Sequence, residues 1–241
     1  MTDEEVFVAL PVEVEKRGIV PKVKVGPKSS FWYHAAINVL LNLFYAKGSK
    51  DAYLTRFWTT IGYTISWPDD EGRSPSNWAI LCHELKHAAQ AARWTRPLFS
   101  YLYLWPLSQG LLILLLGWVG LPWTPGWWKL LYAITWVALA VIHFIPQIPD
   151  PWRTHWELQA YTISIFFHVQ RYGRLEDWYL DGLVHNFSSM TYYMMAPRKD
   201  RIRKALKEIG DAVEARKHPV KDDPIVRAAL SLKGSRSGVI G

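Results

Sequence analysis

The chain has a single cysteine, Cys82, among 241 residues, so no disulfide can form within it. Its fold must rest on packing, and a reducing compartment is the expected setting. Residues 1–30 mix charged and apolar side chains with Pro11, Pro21 and Pro27, and they lack the apolar core of a cleaved signal peptide. Any route to a membrane is therefore expected to run through internal segments. No internal repeat is visible. No recognised nucleic-acid motif occurs, so nucleic acid is not an expected partner despite the net charge of +7. That charge favours an acidic surface instead, such as anionic lipid.

The widest absence is of charge itself. Residues 97–128 contain no Asp, Glu, Lys or Arg, and residues 130–149 again contain none, with His143 the only titratable group in the second stretch besides Tyr132. Each stretch holds roughly 20 or more apolar-dominated residues, enough to cross a hydrocarbon core of about 30 Å. Gly120, Pro122, Pro125 and Gly126 supply a turn between them, and Trp118, Trp123, Trp127 and Trp128 cluster there as interfacial aromatics do. The pattern predicts a transmembrane helical hairpin and a lipid bilayer as partner. Arg93, Arg96 and Arg153 flank it, against Lys129 alone near the turn, so both flanks are expected on the cytoplasmic side. Ser108, Gln109, His143 and the prolines keep open the alternative of a hairpin buried in a water-soluble core.

What the chain does have is His83-Glu84-Leu85-Lys86-His87, an H-E-x-x-H motif. On a helix the two histidines project from one face and can share one Zn²⁺. Glu84, beside them, is placed to take a proton from water. A catalytic zinc needs a third protein ligand and an open position. Glu157, in Trp156-Glu157-Leu158-Gln159-Ala160-Tyr161, is the candidate, giving a His₂Glu set of overall charge +1. His143 sits inside an apolar span and His155 points off the Glu157 face, while His168 and His185 remain competitors. Two crossings return a chain to the side it left, so a hairpin brings Glu157 back to His83 and His87. Amide hydrolysis of a peptide or protein substrate is the implied chemistry. Cys82 lies about 100° round the helix from His83 and reads as a small buried hydrophobe.

These residues resemble the gluzincin branch of the zincin metallopeptidases. The interposed hairpin is similar to that of membrane-integrated peptidases of the CAAX-prenyl-endopeptidase and heat-shock kinds. The block from Thr59-Thr60-Ile61-Gly62 through His87-Ala88-Ala89-Gln90, with Glu157 to Tyr161, also looks like small uncharacterised zincin-like proteins of bacterial and phage genomes. The likeness spans residues 55–172. It implies zinc, an edge strand that binds substrate in extended form, and Glu84 as base. Gluzincins often carry Asp four residues after the ligand Glu, where this chain has Tyr161. No transition-state group carries over by motif, and His185, Tyr192 and Tyr193 are the candidates, with Tyr161 and His168 behind the ligands. A non-catalytic membrane or virion-associated protein on the same frame is the rival expectation.

The expected fold class is α+β: a mainly helical zincin-like domain with a short β-sheet and an inserted two-helix transmembrane hairpin. Residues 1–30 read as extended, with a strand hinted at Val23-Lys24-Val25. Residues 31–96 and 150–197 form the metal-binding domain. Within it, residues 31–46 read as a helix and 55–67 as a strand or hairpin around Gly62. A helix capped by Ser74 or Ser76 runs to about Trp94, and two more cover 152–172 and 178–195. Residues 97–149 are the hairpin. Residues 198–241 read as a basic helix and tail. Ile202, Leu206, Ile209 and Val213 stripe that helix, to lie on anionic lipid or on their own domain. The tail from His218 reads as flexible or bound to a protein partner.

Overall fold

The computed structural model of the protein describes residues 1–44, 54, 58–68, 77–105, 107–143, 150–188 and 198–234. It is mostly helical with one small sheet, an α+β arrangement.

Helix α1 (Asp3–Lys16) begins at Thr2, whose hydroxyl accepts from the Glu5 N–H while the Glu5 carboxylate accepts from the Thr2 N–H at 2.8 Å. This reciprocal cap contributes about 1 kcal/mol. Val6, Phe7, Leu10 and Val14 are buried along one stripe. The helix stands where the sequence pattern predicts extended chain. Pro11 lies inside it, and the buried stripe offsets the hydrogen bond that proline removes.

Strands β1 (Lys24–Pro27), β2 (Thr59–Ile61) and β3 (Thr64–Trp67) form a sheet in the order β1-β3-β2. β1 runs parallel to β3, and β2 antiparallel to it, with Ile61 opposite Thr64. The two-residue turn holds Gly62 at φ +61°, a conformation glycine adopts without steric cost. The hairpin expected around Gly62 is thus present. Among the described residues β2 pairs with β3 alone and lies at the margin of the sheet. Helix α2 (Trp32–Phe44) is tied to β3 through His34, whose Nε2 is 2.8 Å from the Ser66 hydroxyl.

The centre is a pair of helices packed on each other, α3 (Trp78–Trp94) and α7 (Pro151–Tyr172). Between them in sequence come α4 (Arg96–Tyr103), α5 (Leu107–Gly120) and α6 (Trp128–His143). Helix α8 (Asp177–Ser188) follows α7, and α9 (Lys199–Glu214) packs on both. Ile202, Leu206 and Val213 of α9 are buried there, so the amphipathic stripe faces its own protein. Helix α10 (Pro224–Gly234) buries Ile225, Val226, Ala228 and Ala229 and lies against α1 and α3. Through residue 234 the C-terminal stretch is thus part of the same core and not a loose tail.

Helices α5 and α6 form a hairpin that packs chiefly on itself. Gly117 makes this close approach possible: a Cβ there would lie 2.6 Å from the Trp136 side chain. Leu115, Trp118, Trp123, Leu130 and Ile134 are exposed on its outside. The expected pair of full spans is not found. Arg96–Tyr103 and Ser108–Trp123 meet at 106°, with Pro106 between them in sequence. Among the described residues, no single helix is long and apolar enough to cross a membrane.

Candidate metal centre

Helix α3 supplies His83, Glu84 and His87, and α7 supplies Glu157, all four buried. The packing of α3 on α7 brings the two segments together across more than sixty residues of sequence. His83 Nε2 is 3.3 Å from His87 Nε2. Glu157 Oε2 lies 3.4 Å from His83 Nε2 and 3.6 Å from His87 Nε2. A tetrahedral zinc with ligand bonds of about 2.0–2.1 Å requires its ligand atoms to be about 3.3–3.4 Å apart. The triangle already has that size, so the three residues could hold a metal ion.

Their tautomers agree with this. Gln90 Nε2 donates to the Trp156 carbonyl at 3.2 Å and to Gln159 Oε1 at 3.0 Å. Its Oε1 therefore faces His87 Nδ1, 3.0 Å away, and must accept the proton of that nitrogen. The lone pair of His87 is left on Nε2, pointing into the triangle. His83 Nδ1 is held in turn by the Ser164 hydroxyl at 3.2 Å. Burial pushes the neighbouring Tyr179 phenol up to about 12, and its interaction with Ser164 works against that rise.

Charge is balanced inside the cluster. Burial alone would raise the Glu157 carboxyl, but the His87 and His83 imidazoles outweigh it and hold it well below the usual carboxylate range. Burial alone would lower His87, but the Glu157 carboxylate raises it above an ordinary imidazole, with Glu84 adding to the effect. Glu84 reaches the same space from the next position on α3. Its Oε2 accepts a hydrogen bond from the Thr60 hydroxyl of β2 at 2.7 Å.

The other candidates fall at varied distances from this centre. Tyr161 packs its ring on His83, centroids 4.6 Å apart, and its phenol accepts from Asn186 at 3.0 Å. The imidazole partners are Ser164 and Gln90, so position 161 does not carry the role that Asp has in gluzincins. His168 stacks flat on Tyr179 at 3.9 Å and faces Glu176, with Tyr179 standing between it and Ser164. Burial favours its neutral form. His185 is exposed and lines a separate hollow with Asp181, Lys199, Asp200 and Arg203. Tyr192 and Tyr193 lie outside the described residues. Cys82 is fully buried, with its thiol pushed up by that burial, and is no ligand.

Thr60 and Tyr103 also stand at the site, and neither was among the residues expected to act there. The Tyr103 phenol, at the end of α4, donates to Glu157 Oε1. Arg153, one turn before Glu157, sets its guanidinium 5.0 Å from the Tyr103 ring centre. No spacing rule links them to the motif, since the bend after α3 alone brings α4 back. Comparison of the chain with known protein families, with curated proteins and with solved structures finds no match. The functional reading therefore rests on the residues themselves.

Proposed function

We propose that the protein is a zinc-dependent metallopeptidase of zincin type, held at a membrane by its apolar hairpin. The observation that carries the proposal is the ligand triangle of His83, His87 and Glu157 with Glu84 on the adjoining position of the same helix. A purely structural metal site has no use for a carboxylate at that position. Zinc bound by the three residues would supply a Lewis acid that acidifies water and polarises a carbonyl. Glu84 accepts the proton of the attacking water and returns it to the leaving amine. Thr60 holds one of its oxygens, which leaves the other for that transfer. The margin of β2, beside Glu84, suits a peptide bound in extended form by backbone hydrogen bonds.

The exposed leucines and tryptophans of the hairpin support lipid as its surroundings, since contiguous apolar surface of this kind is rare on soluble monomers. At 14 and 16 residues, α5 and α6 rise about 21 and 24 Å, which reaches into a core of about 30 Å. Both roots of the hairpin lead to the metal-binding helices, so the centre stays on the side from which the hairpin inserts. Arg93, Arg96 and Arg153 beside those roots favour the cytoplasmic face.

Glu84→Gln tests the assignment. The variant is expected to bind zinc as the wild type does and to lose about 10²- to 10⁴-fold in cleavage of unfolded casein. Equal activity in the two proteins would remove Glu84 as the base, and no activity in either would favour the non-catalytic structural protein instead.

A further inference from the structure

The two oxygens of Glu157 have different partners. Oε2 lies 3.4 and 3.6 Å from the two imidazole nitrogens, whereas Oε1 accepts the hydrogen bond of the Tyr103 phenol. Tyr103 has little freedom to release it. Its ring stacks on Phe99, centroids 5.3 Å apart, and lies nearly parallel to Trp156 at 6.4 Å. The His87 ring meets it edge-on at 5.5 Å, and the Arg153 guanidinium packs against it. With the Arg153 cation beside the ring, the phenol donates its proton to the Glu157 carboxylate.

A glutamate can bind zinc through one oxygen or through both. Chelation by both would fill the position that a catalytic zinc keeps open. We infer that Tyr103 is a positioning residue that holds Glu157 to ligation through Oε2 alone and so keeps that position free. The inference rests on the zinc ligation proposed above. It adds that the open position depends on a residue outside the H-E-x-x-H motif. Because Tyr103 ends α4, directly before α5, the same bond ties the root of the apolar hairpin to the metal ligand.

The experiment uses the full chain loaded with Co²⁺ or Zn²⁺. Four-coordinate Co²⁺ absorbs much more strongly in the visible than five-coordinate Co²⁺. In wild type the intense four-coordinate spectrum is expected, with X-ray absorption on the zinc form giving single-oxygen carboxylate ligation. Tyr103→Phe keeps the ring and removes only the hydroxyl. It is expected to retain one metal per chain, to lose band intensity as the carboxylate chelates, and to lower kcat by about 10- to 100-fold with little change in KM. A Tyr103→Phe spectrum equal to wild type overturns the inference, as does loss of the metal from a folded variant. Chelating carboxylate in the wild type overturns it without any variant. Failure of the wild type to bind either metal is a different result: it sinks the zinc assignment itself, and the inference with it.

Discussion

Gln90 Oε1 stands 3.0 Å from His87 Nδ1, three residues on along the same helix, and the two donor bonds of Gln90 leave that oxygen no other orientation. A glutamine here does for His87 what a carboxylate often does for a zinc histidine. It fixes the ring and the tautomer without adding charge. Gln90→Leu removes the acceptor and is expected to weaken zinc binding about 10- to 100-fold, measured by competition with a chromophoric chelator. Gln90→Glu restores an acceptor and is expected to recover most of the affinity. Affinity unchanged in Gln90→Leu would show that the ring is held by packing alone.

Thr60 makes the corresponding contact to Glu84, the proposed base. Thr60→Val keeps the shape of the side chain and removes the hydroxyl from Glu84. One such bond to a charged acceptor is worth about 1.5–3 kcal/mol, so kcat is expected to drop about tenfold or more while zinc content stays at wild-type level. A fall in zinc content would instead assign Thr60 to the ligand scaffold.

The pH dependence of stability should differ in slope between the metal-free and the zinc-loaded protein. In the metal-free protein His87 titrates above its unfolded value, so its contribution is full below that value and is lost as pH rises through the folded one. Glu157 titrates below its unfolded value, so its contribution is present above that value and lost as pH falls through the folded one. The pair therefore stabilises the metal-free fold best between about pH 4.5 and 6.5. With zinc, protons compete for the same atoms, and Tm is expected to climb with pH through this range. Parallel Tm profiles for both forms would contradict the coupling of Glu157 to the imidazoles.

The hairpin makes a prediction of its own. Wild-type protein should float with phosphatidylcholine–phosphatidylglycerol vesicles in a density gradient. A charge inserted at an apolar position costs about 2.5–3.5 kcal/mol. Leu115→Asp combined with Leu130→Asp, both on the outside of the hairpin, should therefore leave the protein in the soluble fractions with its fold intact. Flotation of the double variant would remove lipid as the occupant of that surface.

The helices around the candidate metal centre were legible in the sequence because each carries its own periodic signal. Residues 151–172 form a helix within a residue of the expected limits. The motif helix ends at Trp94 as expected but begins at Trp78 after Asn77, the expected caps Ser74 and Ser76 lying outside the described residues, and Gly62 marked the turn of the β-hairpin. Glu157 was the expected third ligand with His168 and His185 left as competitors, and it is Glu157 that stands in the triangle. The contacts behind the ligands were only partly legible. Gln90 lies three positions after His87 and Ser164 seven after Glu157, on the same helical faces, but which atoms they bond depends on how α3 packs on α7. Tyr103 and Thr60 come from a helix beyond a bend and from a strand, and nothing in their local sequence announces the metal. Helix α1 was hidden by Pro11, although Thr2 and Glu5 spell out its cap. Helix α10 was hidden by the polar sequence on either side, although Ile225, Val226 and Ala229 recur at helical spacing. The two long charge-free stretches gave composition without geometry: they said nothing of the 106° bend that divides the first of them.

The most direct measurement is the zinc content of purified full-length protein by elemental analysis, beside His87→Ala and Glu157→Gln. One zinc per wild-type chain is expected, with severe loss in both variants while circular dichroism reports an intact fold. A wild-type protein that takes up no zinc, or variants that hold it as tightly as the wild type, would contradict ligation by His83, His87 and Glu157.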